Sequence, residues 1–298
     1  MGEYTKEDLI NFEAEHETFV GIDSDGCVFD TMEVKQKRHF HPLIIKMWEL
    51  EKIESQLREV AEFINLYSCH RGTNRFPALL KTWEFLKDHP GVANSEVELP
   101  PTESLRAYCE SGLPLGNPTL ESEVERTNDP ELKKVLEWSL AVNKDIDENM
   151  RDIPPFKWAC KAMEKIQGRS DVIVVSQTPE EALVKEWDLH GIDKYVEVIA
   201  GQELGTKSEH LSMAIDDHYQ KNNTLMIGDA PGDMRAAESV GAWFYPINPG
   251  QEEDSWKRFC QEDYDKFLAG DFDESYQQQL NEKYEALLPS TPPWLEQK

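Results

Sequence analysis

Apolar and polar residues alternate in blocks along the second half of the chain. Short apolar runs, such as Val172 to Val175 and Thr224 to Ile227, have the length of buried strands. The stretches between them, such as Pro179 to His190, repeat apolar residues at helical spacing. Strands that alternate with helices predict an α/β fold with a doubly wound parallel sheet. The remaining strands are predicted at 196–200 and 242–246, and the remaining helices at 155–167, 208–220 and 234–239.

One more apolar run stands far from the others, at residues 19–22. It suits a buried strand of the same sheet, so the core is predicted to comprise residues 1–31 and 152–250. Residues 32–151 lie between these two parts and are predicted to be helical almost throughout. A helical insert directly after a strand predicts a lid or cap domain. Its helices are expected at 42–67, 77–88 and 129–142.

The last part of the chain, residues 251–298, is strongly acidic but also aromatic. A disordered segment rarely carries many aromatic residues. We therefore expect a helical extension that packs on the core. Its aromatic residues are Trp256, Phe259, Tyr264, Phe267, Tyr276 and Tyr284 among others.

Composition limits the partners. Asp and Glu total 58 against 31 Lys and Arg, and the net charge of -27 would repel nucleic acid and anionic membranes. We expect neither partner, and an anionic substrate would need a metal ion and local cations. Five scattered cysteines fit the reducing cytoplasm, and the N-terminal residues lack the pattern of an export signal. The sequence does not indicate whether the protein is a monomer or an oligomer.

An acidic pair ends the first strand. Asp23 and Asp25 follow Ile22, and Gly26 permits a sharp turn directly afterwards. Ligands bind at the carboxyl edge of an open α/β sheet, so these carboxylates are placed for chemistry. A plain polar turn is the alternative for an isolated pair of this kind. An EF-hand is excluded, because the twelfth loop position is Val34 rather than Glu and a strand precedes the loop.

Two later motifs supply candidate anion-binding groups. Ser176 ends a strand, Gln177 follows, and Thr178 is placed to cap the helix that begins at Pro179. A hydroxyl group and free N–H groups at a helix start bind anions, so Ser176 and Gln177 are candidate phosphate-binding residues. Lys207 lies at the mouth of the next helix, where a cation opposes the helix dipole. A capping serine and a solvated lysine are the alternatives.

The last motif again ends a strand in an acid. Asp229 follows the run Met226 to Gly228, and Asp233 lies four residues further on in a turn that contains glycine and proline. Mg²⁺ prefers carboxylate oxygens and keeps several waters. Asp23, Asp229 and Asp233 are therefore candidate ligands of one Mg²⁺ ion.

In chain order the motifs are strand-Asp-x-Asp-Gly, strand-Ser, Gly-x-Lys-Ser and strand-Gly-Asp-x-x-x-Asp. In this order the chain resembles the haloacid dehalogenase superfamily, in the branch of phosphatases and sugar phosphomutases. The resemblance covers the core and implies a Rossmann-like sheet. The helical insert is similar to the C1 cap of the family.

The resemblance also implies a mechanism. Asp23 would attack phosphorus and form an aspartyl-phosphate, and Asp25 would protonate the leaving oxygen and later activate water. Ser176 and Lys207 would hold the phosphoryl oxygens. The family binds its metal through Asp23, the backbone carbonyl of Asp25 and Asp229 in the numbering of this chain, with Asp233 as a ligand or a support. An acid at Asp25 favours phosphoryl chemistry over dehalogenation. Cys27 departs from the usual Thr or Val but should pack similarly.

The insert carries a loop that is a candidate for substrate recognition. Arg71, Asn74 and Arg75 stand between apolar helices of an acidic chain, which suits an anion or a sugar hydroxyl. Gly72-x-x-Arg75 is similar to the specificity loop of C1 caps. Arginines paired with nearby acids are the alternative, and the basic cluster around Lys37 is expected to be a solvated helix face.

These expectations combine into a Mg²⁺-dependent phosphatase that hydrolyses a small phosphorylated metabolite. The first alternative is a sugar phosphomutase, since it uses the same motifs. The second is a binding protein that kept the fold without turnover, against which the complete set Asp23, Asp25, Lys207 and Asp229 argues.

Overall fold

The computed structural model describes residues 4–93, 95–216 and 218–296. Five strands form one sheet with the order β3-β2-β1-β4-β5, and every neighbouring pair is parallel. The predicted α/β fold is therefore confirmed, and the strand that stands first in the chain lies at the centre of the sheet. The strands are β1 Phe19–Ile22, β2 Asp171–Val175, β3 Val198–Ala200, β4 Thr224–Gly228 and β5 Trp243–Pro246.

The described chain is rich in helix. The α-helices are α1 Lys6–Ile10, α2 Thr31–Lys35, α3 His41–Trp48, α4 Glu54–Leu66, α5 Arg75–Asp88, α6 Glu103–Cys109, α7 Asn117–Thr127, α8 Pro130–Asn149, α9 Lys157–Ile166, α10 Glu180–Leu189, α11 Lys207–Ile215, α12 Pro231–Val240, α13 Glu252–Arg258, α14 Tyr264–Ala269, α15 Glu274–Ala286 and α16 Pro293–Glu296. Two π-helices span Gln36–Phe40 and Phe259–Asp263. Short 3₁₀ helices span Glu51–Ile53, Asp193–Tyr195, Gln202–Leu204 and Lys221–Asn223.

The chain divides into two compact units. The sheet unit comprises Met1–Thr31 and Ile153–Leu287, and the inserted unit comprises Met32–Asp152 and Leu288–Lys298. The sequence prediction packs all of the extension 251–298 on the core, whereas the residues from Leu288 onward group with the inserted unit. In the inserted unit, Trp294 is buried against Phe63 and His89, with ring centroids 5.4 and 5.2 Å away.

The strands of the sheet unit are buried on both faces, as their unbroken apolar runs require. On one face, Val20 and Ile22 pack with apolar residues of α9 and with aromatic residues of 252–287. On the other face, a Cβ atom at Gly21 would lie 2.9 Å from the Leu211 side chain. Glycine at this position therefore lets α11 pack closely on β1.

The inserted unit is built from helices around its own core, which contains Trp83 and Trp138. The prediction of one helix over 42–67 is wrong, because α3 ends where Glu49 adopts a left-handed conformation with φ 57°. The chain then passes through the turn Glu51–Ile53 into α4. No helix in the described ranges combines the length and apolar character that a membrane span requires.

Candidate active site

The carboxyl ends of β1 and β4 bring the predicted acids together. Asp23 follows β1 directly, and its N–H donates to the carbonyl of Ile227 at 2.9 Å, which extends the pairing of the two strands. Asp229 follows β4 in the same way. Carboxylate oxygens of Asp23, Asp229 and Asp233 all lie within 4.8 Å of one another, and all three residues are buried. The chain therefore concentrates three acids at one point of the sheet edge.

The ammonium group of Lys207 faces these acids. Lys207 is the first residue of α11, and its Nζ lies 2.8 Å from Asp23 Oδ2 and 2.5 Å from Asp233 Oδ1. Thr206 caps the helix, since its hydroxyl accepts from the N–H of Glu209 and the Glu209 carboxylate accepts from the N–H of Thr206. This reciprocal capping fixes the start of the helix. Lys207 follows the cap directly, and its ammonium group, which opposes the helix dipole, contacts the carboxylates of Asp23 and Asp233.

Asp233 holds the turn between β4 and α12. Its Oδ2 accepts from the N–H groups of Asp229 at 3.1 Å and Ala230 at 2.9 Å, while Oδ1 accepts from Lys207. Gly228 is required beside it, because a Cβ atom there would lie 2.4 Å from Asp233 Oδ2. Asp233 Oδ2 thus holds the turn, and Asp233 Oδ1 holds the Lys207 side chain.

Burial and charge act together on the titration of the site. Burial raises the pKa of Asp23 well above its ordinary value, Lys207 opposes this shift, and Asp233 and Asp229 add to it. Burial alone would lower the pKa of Lys207, but the attraction of Asp23 and Asp233 outweighs burial and raises it. The ammonium group is therefore firmly charged. Burial and the same acids also raise the pKa of the Cys27 thiol, which keeps it protonated.

The donor set fits a hard divalent cation. Three buried carboxylates face one ammonium group, so the ionised cluster carries excess negative charge that a cation would balance. All the side-chain donors are oxygens, which suits Mg²⁺ rather than a soft metal. Asp23 and Asp229 are the best candidate ligands, because Asp233 already accepts three hydrogen bonds.

The side chain of Asp25 does not belong to this cluster of carboxylates. Its Oδ2 accepts from the hydroxyl of Thr178 at 2.6 Å, and its Oδ1 accepts from the hydroxyl of Thr31. Gly26, with φ 79°, supplies the turn that follows. Two hydroxyl groups therefore hold the side chain of Asp25, which is half-buried.

Two of the predicted phosphate-binding residues, Ser176 and Gln177, lie at the carboxyl end of β2. Ser176 is buried, and its hydroxyl oxygen accepts from the N–H of Thr178 at 3.1 Å. The Gln177 amide donates to the carbonyl of Gly205 at 2.8 Å, which ties this loop to the one before Lys207. The prediction that Thr178 caps α10 is wrong, because the helix starts after Pro179 and the Thr178 hydroxyl donates to Asp25.

The three candidates in the inserted unit differ in their contacts. Arg71 is buried and donates to the carbonyl of Leu66 at 2.9 Å. Asn74 caps α5 by accepting from the N–H of Phe76 at 3.0 Å, so it has a structural role. Arg75 lies 5.1 Å from the ring of Phe40, and its hydrogen bonds go to neutral groups. Those groups are the carbonyl and hydroxyl of Ser139 and the amide oxygen of Asn143.

Arg75 carries a charge that no carboxylate balances within the described residues. Burial lowers the pKa of its guanidinium to about 10, which still leaves it protonated at neutral pH. The alternative interpretation, in which the loop arginines pair with nearby acids, therefore does not hold for Arg75 within the described residues. In contrast, Lys37 of the basic cluster, which was expected on a solvated helix face, is partly exposed and pairs with Glu33 and Glu62.

Sequence reasoning missed several contacts of the site. The Trp187 indole donates to Ser24 Oγ at 3.0 Å, and the Tyr284 hydroxyl donates to the carbonyl of Asp229 at 3.0 Å. Thr178 was assigned to a helix cap rather than to Asp25. No motif signals these partners, since they join residues that lie far apart in the chain. Gly228 had a local signal, because it separates an apolar strand from an acid.

No family model matches the sequence, and no curated protein matches it either. Solved structures do match in fold. A β-phosphoglucomutase from Clostridium difficile is 14% identical, with 85% of this chain and 99% of that chain covered and a TM-score of 0.45. A hydrolase of the superfamily from Bacillus subtilis, bound to magnesium, is 16% identical, with 77% and 86% covered and a TM-score of 0.41.

A structure described as a predicted phosphatase, from Clostridium acetobutylicum, is 14% identical, with 78% of this chain and 85% of that chain covered and a TM-score of 0.40. The described chain has a five-stranded parallel sheet, and its sequence carries the four ordered motifs described above.

Proposed function

We propose that this protein is a Mg²⁺-dependent phosphatase of a small phosphorylated metabolite, which acts through an aspartyl-phosphate on Asp23. The observation that carries the proposal is the contact of Lys207 Nζ with both Asp23 and Asp233, next to Asp229 at the same sheet edge. A nucleophile, a cation and a metal-binding acid within one small volume are what phosphoryl transfer requires.

In the first half of the reaction, a carboxylate oxygen of Asp23 attacks phosphorus and the bond from phosphorus to the leaving oxygen breaks. Asp25 gives its proton to that oxygen. Lys207 and Ser176 bind the non-bridging phosphoryl oxygens, and the N–H of Ser24 already donates to Asp23 Oδ1 at 2.8 Å, which orients the nucleophile. The alcohol product then leaves.

In the second half, Asp25 accepts a proton from water as that water attacks the aspartyl-phosphate. The bond between phosphorus and the Asp23 oxygen breaks, so inorganic phosphate forms and both acids return to their starting states. Thr178 and Thr31 keep Asp25 in one orientation for both proton transfers. The same residue thereby serves as acid and as base.

Mg²⁺ would be held by Asp23, Asp229 and the backbone carbonyl of Asp25, and when bound it supplies positive charge that offsets the anionic phosphoryl group. Asp233 supports the site by holding Lys207 and the N–H of Asp229. The proposal includes a cytoplasmic location, which rests on the cysteine pattern of the sequence.

The test is phosphate release from a panel of phosphorylated metabolites, with and without Mg²⁺. Asp23→Asn removes the nucleophile and should lower kcat by at least about a thousandfold. Asp188→Asn, on an exposed aspartate of α10, should keep wild-type activity. Phosphate release that survives Asp23→Asn would contradict the mechanism, and a wild-type protein inactive on the whole panel would favour a binding protein.

A sugar phosphomutase is the second candidate, and the observation that favours it is Arg75. An unbalanced guanidinium suits a substrate that carries a second anionic group, and a mutase has such a substrate in its bisphosphate. Free phosphate measured against isomerised sugar phosphate, with a bisphosphate activator, separates the two activities. Arg75→Met should weaken substrate binding in either case, and an unchanged KM would exclude Arg75 from substrate recognition.

A further inference from the structure

Aromatic residues from the end of the sheet unit reach two of the active-site loops. The Trp256 indole donates to the carbonyl of Cys27 at 2.7 Å, in the loop that carries Asp25. The Tyr284 hydroxyl donates to the carbonyl of Asp229 at 3.0 Å. Both side chains are 0% exposed. Residues 252–287 therefore contact the backbone of both acidic loops, and none of the four motifs includes them.

We propose that Tyr284 is a positioning residue for the metal-binding Asp229. The inference rests on the proposed function, because it assigns Tyr284 a role in the metal site. It adds a residue that lies outside every motif and far along the chain.

The argument concerns how the peptide of Asp229 is held. Its N–H donates to Asp233 Oδ2 at 3.1 Å, and its carbonyl accepts from Tyr284. Asp229 lies between the end of β4 and the start of α12, so it belongs to neither element. Hydrogen bonds on both sides of the residue fix its backbone, and this fixes the direction of its carboxylate toward Asp23. Partners of this kind tune metal affinity.

Tyr284 is itself well anchored. Its ring packs edge to face on Phe244 of β5, with centroids 5.7 Å apart. In the same helix, the Gln277 amide accepts from the Phe244 N–H at 2.7 Å and donates to the Phe244 carbonyl at 2.8 Å. These bonds attach α15 to the edge strand of the sheet. The Tyr284 hydroxyl therefore has a fixed position from which to hold Asp229.

The same helix offers a matched control. Tyr276 also donates its hydroxyl to an acid, Asp263, at 2.5 Å, but Asp263 pairs with Arg258 and Lys266 and lies outside the motifs. Tyr284→Phe and Tyr276→Phe each remove one hydroxyl and keep the ring. Loss of stability is common to both variants, whereas loss of the Asp229 contact occurs only in Tyr284→Phe.

The experiment measures Mn²⁺ binding to the full chain by electron paramagnetic resonance, without substrate. Tyr284→Phe should weaken the Mn²⁺ affinity about tenfold, and Tyr276→Phe should change it less than about twofold. Circular dichroism checks that both variants are folded. In an activity assay, Tyr284→Phe should need a higher metal concentration than Tyr276→Phe to reach its full kcat.

The outcomes separate this inference from the proposed function. Wild-type protein that binds Mn²⁺, with an equal affinity in Tyr284→Phe, overturns the inference alone. Wild-type protein that binds no Mn²⁺ overturns the metal site and the inference together. A selective tenfold loss in Tyr284→Phe supports the inference even if no phosphatase substrate is found.

Discussion

A methyl group at Gly228 would occupy the space of the Asp233 carboxylate. A Cβ atom at this position would lie 2.4 Å from the Cβ, Cγ and Oδ2 atoms of Asp233, whereas ordinary contacts of such an atom are 3.4–4 Å long. Gly228→Ala therefore forces Asp233 to retreat by roughly 1 Å, or the strand to shift by as much. Either movement disturbs the bond from Lys207 Nζ to Asp233 Oδ1.

The size of the effect follows from this displacement. Overpacking of a buried site costs about 1–3 kcal/mol of unfolding free energy. Lys207 also contacts Asp23, so a shift of Asp233 moves the ammonium group relative to the proposed nucleophile. A misplacement of about 1 Å in a catalytic site lowers the rate roughly a hundredfold. We therefore expect a folded variant whose kcat/KM is about a hundredfold lower.

The assay is phosphate release on the best substrate of a panel, together with urea unfolding. Gly232→Ala is the control, because a Cβ atom there would meet nothing within 4 Å. This variant should keep its activity, and it should be equally stable or more stable by up to about 1 kcal/mol, since alanine favours a helix. A Gly228→Ala protein with activity within threefold of wild type would refute the reasoning.

Two further predictions concern titration. Thr178→Val removes a hydrogen bond to the Asp25 carboxylate, which favours the protonated acid, so the limb of the pH–rate profile that reports Asp25 should move to higher pH. Thr178→Ser should keep the wild-type profile, and an unmoved limb in the valine variant argues against the role of Asp25. Burial, with a smaller effect of Arg58 and Lys37, lowers the pKa of His41 to about 3. The unfolded chain takes up this proton first, near pH 6.5, so stability falls as the pH drops from there toward 3, by about 2 kcal/mol at pH 5. Urea unfolding at pH 7 and 5 should show a loss about 2 kcal/mol larger in wild type than in His41→Phe. Part of the loss remains in both proteins, because burial also lowers the pKa of His210, to about 4. Equal losses in the two proteins would contradict the prediction.

Local pattern was sufficient to predict the sheet. Each strand is a short apolar run that stops at a polar residue, and this pattern reports burial on both faces of a parallel sheet. The acids at the ends of β1 and β4 meet because parallel neighbours place their carboxyl ends side by side. The convergence of Asp23, Asp229 and Lys207 was therefore predicted from the position of each motif after a strand, whereas the strand order came from the structure.

The local pattern of apolar and polar residues could not predict side-chain contacts between residues that lie far apart in the chain. Thr178 reaches Asp25 across 153 positions, and Tyr284 reaches Asp229 across 55. A threonine before a proline is equally typical of a helix cap, and a buried tyrosine is equally typical of a core. Only the packing of α10 and α15 on the sheet unit decides between these roles.

The break at Glu49 was missed for a different reason. The residues before and after it continue the apolar spacing of a helix, and a glutamate is unusual in a left-handed conformation. The chain nevertheless turns there, because α3 and α4 each bury an apolar side in the core of the inserted unit. Tertiary burial thus outweighed local preference.

The net charge of the chain and the charge of the site act on an anionic substrate in the same direction. The chain has a net charge of -27, and its site adds three carboxylates against one ammonium group. An anionic substrate would meet repulsion at long range and at contact, unless positive charge binds at the site first. The buried acids that repel the substrate are also the groups that attract a divalent cation most strongly. We therefore expect substrate affinity to depend on metal concentration, whereas metal affinity does not require substrate.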